Sequence, residues 1–188
     1  MPTIPVGHRV GLGYDVHPFA PAAGRRPLVL GGVTIPGPRG LEGHSDADVL
    51  VHAVCDAILG ALALGDLGTH FPDTDPLFRG ISSLDLLRSC ASMAAERGWR
   101  IVNVDTVVIA EEPKIAPFVP AMRERIAGAL GASLADVSVK GTRPEGLGAL
   151  GRKEGIASQA IVLLASRGAA ATLIARARRG SGRSRASR

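Results

Sequence analysis

The sequence predicts an α/β (α+β) fold: a single domain with helices packed on one face of a mixed β-sheet. Three observations point there. Runs rich in Val and Ile at strand spacing alternate with longer runs at helical spacing. No Pro/Gly/Ser-rich linker divides the chain before residue 166, and no segment repeats. The chain's 188 residues are 46% hydrophobic, enough for one substantial core.

The first element is HRVGLGYDVHPFA, His8 to Ala20. Val10, Leu12, Tyr14 and Val16 recur at period two and share one strand face. Arg9, Gly11, Gly13, Asp15 and His17 share the other. The apolar face is expected to meet the core. The second face, bare at its middle and polar at its end, is expected to meet something small and polar, because glycines inside a strand mark a close approach. Leu28–Leu30 and Val33–Ile35 flank Gly31-Gly32 and read as a hairpin. A glycine-rich loop then leads into a helix from about Asp46 to Leu64, with Ser45 and Asp48 spaced as a capping box and Gly65 as its stop. Its apolar residues cover most of the circumference, so it is expected to be buried on several sides.

A loop of Gly, Pro and Asp follows, then a helix from about Ser83 to Arg97. Ser82 and Asp85 repeat the capping spacing, and Gly98 closes the helix. Ile101 to Ala110 is a strand, and EEPKIAP an irregular loop. A third helix runs from about Phe118 to Leu130, with Pro120 in its first turn and Gly131 at its end. Val137 to Lys140 and Ile156 to Ala165 are further strands, joined by the loop GTRPEGLGALGRKEG.

The formal charge of +5 misleads. Seven arginines and no acids fall between Arg167 and Arg188, while the rest of the chain holds fifteen basic and seventeen acidic residues. The chain therefore divides into a domain at 1–166 and an Arg-rich tail at 167–188. The tail is expected to be disordered, above all beyond Ala175, where large apolar groups are missing. It suits contact with nucleic acid or an anionic surface, or a role as a solvated extension; for the protein as a whole a nucleic-acid partner is not expected. Cys55 and Cys90 sit in apolar helical runs and read as buried small hydrophobes in a reducing compartment. With no signal peptide and no apolar run of membrane-spanning length, a soluble, cytoplasmic protein without membrane contact is expected.

Several polar groups stand out against this frame. Asp15 and His17 project the same way, as a surface hydrogen bond or as two ligands of a borderline cation such as zinc. His52 lies mid-helix among Val and Leu, with Asp48 and Asp56 at i−4 and i+4 on one stripe, where charge is costly unless paired or metal-bound. If the strand end faces this helix, Asp15, His17 and His52 supply three N/O ligands with one position open, the count of a catalytic zinc site. His44 and Ser45 precede the helix, at a terminus suited to anions. Asp73 and Asp75, on a Pro-bounded loop, fit Mg²⁺, sugar hydroxyls or an Asx turn. Lys140, Thr142, Arg143 and Glu145 fit a polyphosphate with a divalent ion, or a solvated loop.

The stretches GLGYDVHPF, LGGVTIP, GHSDADVLVHAVCDAILGALALGDLGTHFPDTDP, VNVDTVVIAEEPKIAPFVPAMR, VSVKGT, EGLG and GRKEGIA resemble the 2-C-methyl-D-erythritol 2,4-cyclodiphosphate synthase family of the non-mevalonate isoprenoid pathway. The resemblance runs from about Arg9 to Ala165. It implies a phosphorus–oxygen lyase that turns 4-diphosphocytidyl-2-C-methyl-D-erythritol 2-phosphate into the cyclic diphosphate and CMP. It implies Asp15, His17 and His52 as ligands of a divalent metal, usually zinc. His44 and Ser45 would hold the phosphates, His44 as a stabiliser of the transition state. Asp66, Gly68, Phe71, Asp73 and Asp75 would bind the methylerythritol. Ala110, Pro113, Lys114, Ile115 and Ala116 would form the pocket for cytosine and ribose. Thr142 and Glu145 would lie near the diphosphate, Glu145 binding a second ion, Mg²⁺ or Mn²⁺. Arg152 would stand near the substrate or the trimer axis. The family's homotrimer implies active sites between subunits, with metal ligands from one chain and the nucleotide pocket from the next. Arg143 falls where the family carries a stabilising threonine, followed here by Pro144, so the catalytic set implied is His44, Arg143 and Glu145. The alternatives are a zinc-dependent phosphohydrolase and a non-catalytic metal- or nucleotide-binding member.

Overall fold

Six strands and three longer helices follow the expected order, with two single-turn helices added, in the computed structural model, which describes residues 7–21, 26–37 and 39–167. The strands are β1 (His8–Pro18), β2 (Leu28–Leu30), β3 (Val33–Ile35), β4 (Trp99–Ile109), β5 (Val137–Thr142) and β6 (Gly155–Ser166). The helices are α1 (Val49–Ala61), α2 (Leu67–His70), α3 (Ser83–Glu96), α4 (Val119–Leu130) and α5 (Gly148–Gly151). The expectation for a tail beyond Arg167 lies outside the described residues.

The sheet order is β1-β6-β4-β5, with β2 and β3 forming a separate hairpin. β6 runs antiparallel to both β1 and β4, whereas β5 runs parallel to β4, so the sheet is mixed as expected. α1 lies across β1, β6 and β4, and α3 and α4 complete the same layer. Leu50, Ile58 and Leu59 of α1, Leu87 of α3, Met122 and Ile126 of α4, and Ile156 and Leu164 of β6 are fully buried between the layers. Cys55 and Cys90 are buried and free, as expected. Among the described residues no helix is long and apolar enough to cross a membrane.

The structure reverses the expected sense of β1. Its glycine face, not its apolar face, turns inward. A Cβ on Gly11 would stand 1.8 Å from the Ala57 carbonyl oxygen, and one on Gly13 would stand 1.9 Å from that of Ala53. The close approach is therefore to the backbone of α1. Val10 and Leu12 are each 66% exposed, and Tyr14 and Val16 about half so, on the sheet's outer face.

Other boundaries shift for local reasons. α1 starts at Val49 rather than Asp46, because Asp48 is itself the N-cap and accepts from the Val51 N–H. Ser45 accepts instead from Ala47 N–H, so the Ser45–Asp48 box does not form. Asp85 pairs with Arg88, and Ser82 caps α3 without a side-chain bond. α2 and α5 are single-turn helices inside segments expected to be loops. α4 matches its expectation, with Gly131 left-handed at its end.

Candidate metal centre

Three side chains distant in sequence converge where β1 ends against α1. The Asp15 Oδ2 lies 3.0 Å from His17 Nε2 and 3.0 Å from His52 Nδ1, and the two ring nitrogens are 3.4 Å apart. Strand alternation puts Asp15 and His17 on the inward face, and the bare glycines let α1 bring His52 down to them. Ligands held at about 2.0–2.1 Å in tetrahedral directions lie about 3.3 Å from one another. One carboxylate oxygen and two imidazole nitrogens at these separations fit a divalent cation, and they are the described residues that group in this way.

The electrostatics of the cluster follow from the pairing of Asp15 with the two imidazoles. Burial alone would raise the Asp15 carboxyl, but the hydrogen bonds and charges of His17 and His52 outweigh it and hold that group well below the usual carboxylate range. Burial pulls the His17 ring downward, yet its hydrogen bond and attraction to Asp15 leave it raised.

The expected stripe of Asp48, His52 and Asp56 separates into three roles. Asp48 is wholly buried and accepts from the N–H groups of Gly31 (2.9 Å), Gly32 (2.6 Å) and Val51 (3.1 Å), tying the hairpin to α1. Asp56 accepts from Leu67 N–H at 2.7 Å. Only His52 turns to the metal centre.

The remaining candidates fall into three places. His44 is exposed on the loop before α1, its carbonyl accepting from Gly80 N–H. Ser45 is buried, its Oγ 3.0 Å from His52 Nε2. Arg26 donates to the carbonyls of Gly43 and Ser45, bracing this loop. In the second place, Asp66 caps α2, accepting from Thr69, and Gly68 follows within that turn. Phe71 meets Phe78 edge-on at 5.4 Å. Asp75 makes the Asx-type bond, to Leu77 N–H, while Asp73 is exposed.

The third place is a cleft of about 620 Å³. Ala110, Pro113, Lys114, Ile115, Ala116, Thr142 and Arg143 all line it, and Asp15, His17 and His52 do not. Glu145 follows in a left-handed conformation (φ 53°), exposed, and Arg152 pairs with Glu154 at 2.6 Å.

Two contacts beneath the centre were not legible as such. Ser83 Oγ stands 2.9 Å from His52 Nε2, and Asp46 holds Ser83. Asp46 lies inside the HSDAD run, but only the fold reveals that α3 begins beside it.

An α+β sheet with helices on one face carries an Asp–His–His donor set whose spacing could hold a divalent cation at a partly exposed site. Comparison narrows the class. Residues 8–165 match the YgbB family. The 2-C-methyl-D-erythritol 2,4-cyclodiphosphate synthase of Symbiobacterium thermophilum is 59% identical over 158 residues, covering 84% of this chain and 99% of that protein. The bifunctional IspDF of Campylobacter jejuni superposes with a TM-score of 0.81 at 42% identity over 88% of this chain, which spans only 44% of that longer protein. The IspF–CDP complex of Plasmodium falciparum superposes with a TM-score of 0.75 at 35% identity, covering 86% of this chain and 97% of that one. The chain belongs to the YgbB family.

Proposed function

We propose that the chain converts 4-diphosphocytidyl-2-C-methyl-D-erythritol 2-phosphate to 2-C-methyl-D-erythritol 2,4-cyclodiphosphate and CMP, as a phosphorus–oxygen lyase of isoprenoid biosynthesis. The observation that carries the reading is the Asp15–His17–His52 cluster, with its tetrahedral spacing and open side. The cleft adds support: Ala110, Pro113, Lys114, Ile115 and Ala116, expected around the cytidine, line one cavity together with Thr142 and Arg143.

The chemistry asks little of nucleophilic side chains. A 2-phosphate oxygen attacks the β-phosphorus, and the bond from that phosphorus to the oxygen bridging the α-phosphate breaks. CMP leaves with the electron pair. The nucleophile is already ionised and attached, so catalysis is positioning and charge neutralisation. Asp15, His17 and His52 would hold zinc, which supplies Lewis-acid polarisation of a phosphoryl oxygen when bound. His44 and Ser45 orient the phosphates on the loop before α1. Asp66, Gly68, Phe71, Asp73 and Asp75 hold the methylerythritol end. Ala110, Pro113, Lys114, Ile115 and Ala116 enclose the cytidine, Thr142 and Arg143 face the diphosphate, and Arg152 stands further along the same loop. Glu145 would provide a carboxylate for Mg²⁺ or Mn²⁺, which would supply charge neutralisation when bound. Arg143 presents a guanidinium, suited to paired phosphate oxygens.

The assembly that fits this reading is a homotrimer, with the metal centre of one chain facing the cleft of the next. The exposed apolar face of β1 is its natural contact. Residues 1–166 form the catalytic unit, so a chain ending at Arg167 retains the parent turnover.

Incubation of the metal-loaded protein with the cytidyl substrate, followed by ³¹P NMR, tests the function. CMP with a cyclic diphosphate is the expected product pair. Inorganic phosphate instead would identify a hydrolase, and CDP binding without turnover a non-catalytic member.

A further inference from the structure

Three buried groups lie behind the metal centre with a fixed polarity. His52 turns Nδ1 toward Asp15 and His17, so its lone pair must sit on Nδ1 for the ring to bind a cation. The ring proton then belongs on Nε2, which stands 2.9 Å from Ser83 Oγ and 3.0 Å from Ser45 Oγ. Ser83 is fully buried at the first residue of α3. Its hydroxyl faces Asp46 Oδ1, and its N–H donates to Asp46 Oδ2 at 3.0 Å. The Ser83 hydroxyl donates its hydrogen bond to Asp46 Oδ1, which leaves its lone pair for the His52 Nε2–H. Ser45 differs in having no such carboxylate among its partners: its Oγ accepts from Ala47 N–H and lies 3.4 Å from Ser83 Oγ.

We propose that Ser83, anchored by Asp46, is a positioning residue for the metal centre, fixing the His52 ring and its Nε2–H tautomer so that Nδ1 is free to ligate. The inference rests on the reading of Asp15, His17 and His52 as metal ligands. Physically, a ligating imidazole that donates its other N–H to an oriented acceptor is more basic and better aligned. Asp46 also satisfies the Ser83 N–H at the open start of α3, where a negative charge is favoured. The metal centre and the start of α3 thereby share one carboxylate.

Zinc titration against a competing chromophoric chelator, with the visible spectrum of the cobalt(II)-substituted protein, tests the proposal on the parent, Ser83→Ala, Asp46→Asn and His52→Ala. Ser83→Ala is expected to weaken zinc binding by about 10- to 100-fold and to alter the cobalt spectrum. Asp46→Asn should fall between it and the parent, because the amide oxygen still accepts the Ser83 proton. Parent-like affinity and spectrum in Ser83→Ala would overturn the proposal, since loss of a merely structural hydroxyl lowers melting temperature without touching either readout. Absence of zinc binding in the parent, or its persistence in His52→Ala, would remove the metal reading and the proposal together. The zinc-loaded parent gives a test that needs no variant. With ¹⁵N-labelled histidine, the His52 Nε2 should carry a proton with a nuclear Overhauser contact to the Ser83 β-protons. A His52 bare at Nε2 overturns the proposal even if Ser83→Ala does not fold.

Discussion

Asp48 and Asp56, one helical turn either side of His52, show how differently a buried and a half-buried carboxylate can be held. Asp48 closes three backbone N–H groups, those of Gly31 and Val51 in buried bonds and that of Gly32 in a partly buried one. Removing it leaves buried donors unpaired and deletes the cap of α1, so Asp48→Ala should lose about 3 kcal/mol or more in denaturant titration. Asp56 has a single backbone partner. Burial raises its carboxyl, the Leu67 N–H lowers it, and the charges of Asp15 and Asp66 raise it again. Its folded value thus exceeds its unfolded one. The stability it contributes is complete at pH values below the unfolded value and is lost as pH climbs through the folded one. At neutral pH its charge is a net cost. Asp56→Asn keeps an oxygen for Leu67 and discards the charge. The metal-free variant should melt above the parent at neutral pH, with the gap closing as pH falls towards 3.8, the ordinary aspartate value.

At the scale of the element, β1 and α1 together make the site, and two missing side chains set their separation. A methyl at Gly13 would meet the Ala53 carbonyl of α1, a backbone atom that cannot swing aside. Gly13→Ala should therefore cost roughly 1–3 kcal/mol, the range of an overpacked core, and weaken zinc binding as His52 is pushed from Asp15. Thermal melts and zinc titration of the same protein read the two effects. The same pair of elements shows what the sequence made legible. Alternation correctly grouped Val10, Leu12, Tyr14 and Val16 on one face and Gly11, Gly13, Asp15 and His17 on the other. It could not say which face was inward, because period two is symmetric and a bare face suits a ligand or a neighbouring backbone alike. The deciding fact, where α1 lies, is a long-range one. Local signals fared better where local physics decides: Gly131 at the end of α4 follows from its left-handed geometry, and Pro120 from its fixed φ. The Ser45–Asp48 box failed because Asp48 found better donors on the distant hairpin.

At the scale of the whole molecule, the sheet is covered on one side only. Val10, Leu12, Tyr14 and Ile161 form an exposed apolar strip across β1 and β6. Such a strip on a folded chain marks a contact surface. On the proposed homotrimer with sites between subunits, Leu12→Asp should give monomers in sedimentation velocity, with metal binding retained and turnover reduced by about 100-fold or more, as the substrate would lose the contacts of one subunit. The donor set of the site was readable in advance because Asp15, His17 and His52 are chemically distinctive. Ser83 was not, because a serine at a helix start has a sufficient local explanation.

The contact between Gly13 and Ala53 has one more consequence. The separation of β1 and α1 beneath the candidate metal centre is set by main chain resting on main chain, so the two backbones that carry Asp15, His17 and His52 cannot draw closer. Ionic radius then becomes a selection rule. Ions satisfied at about 2.0–2.1 Å are expected to fit this frame, whereas calcium, which asks for about 2.3–2.6 Å and several more oxygens, is expected to bind far more weakly in a competition titration.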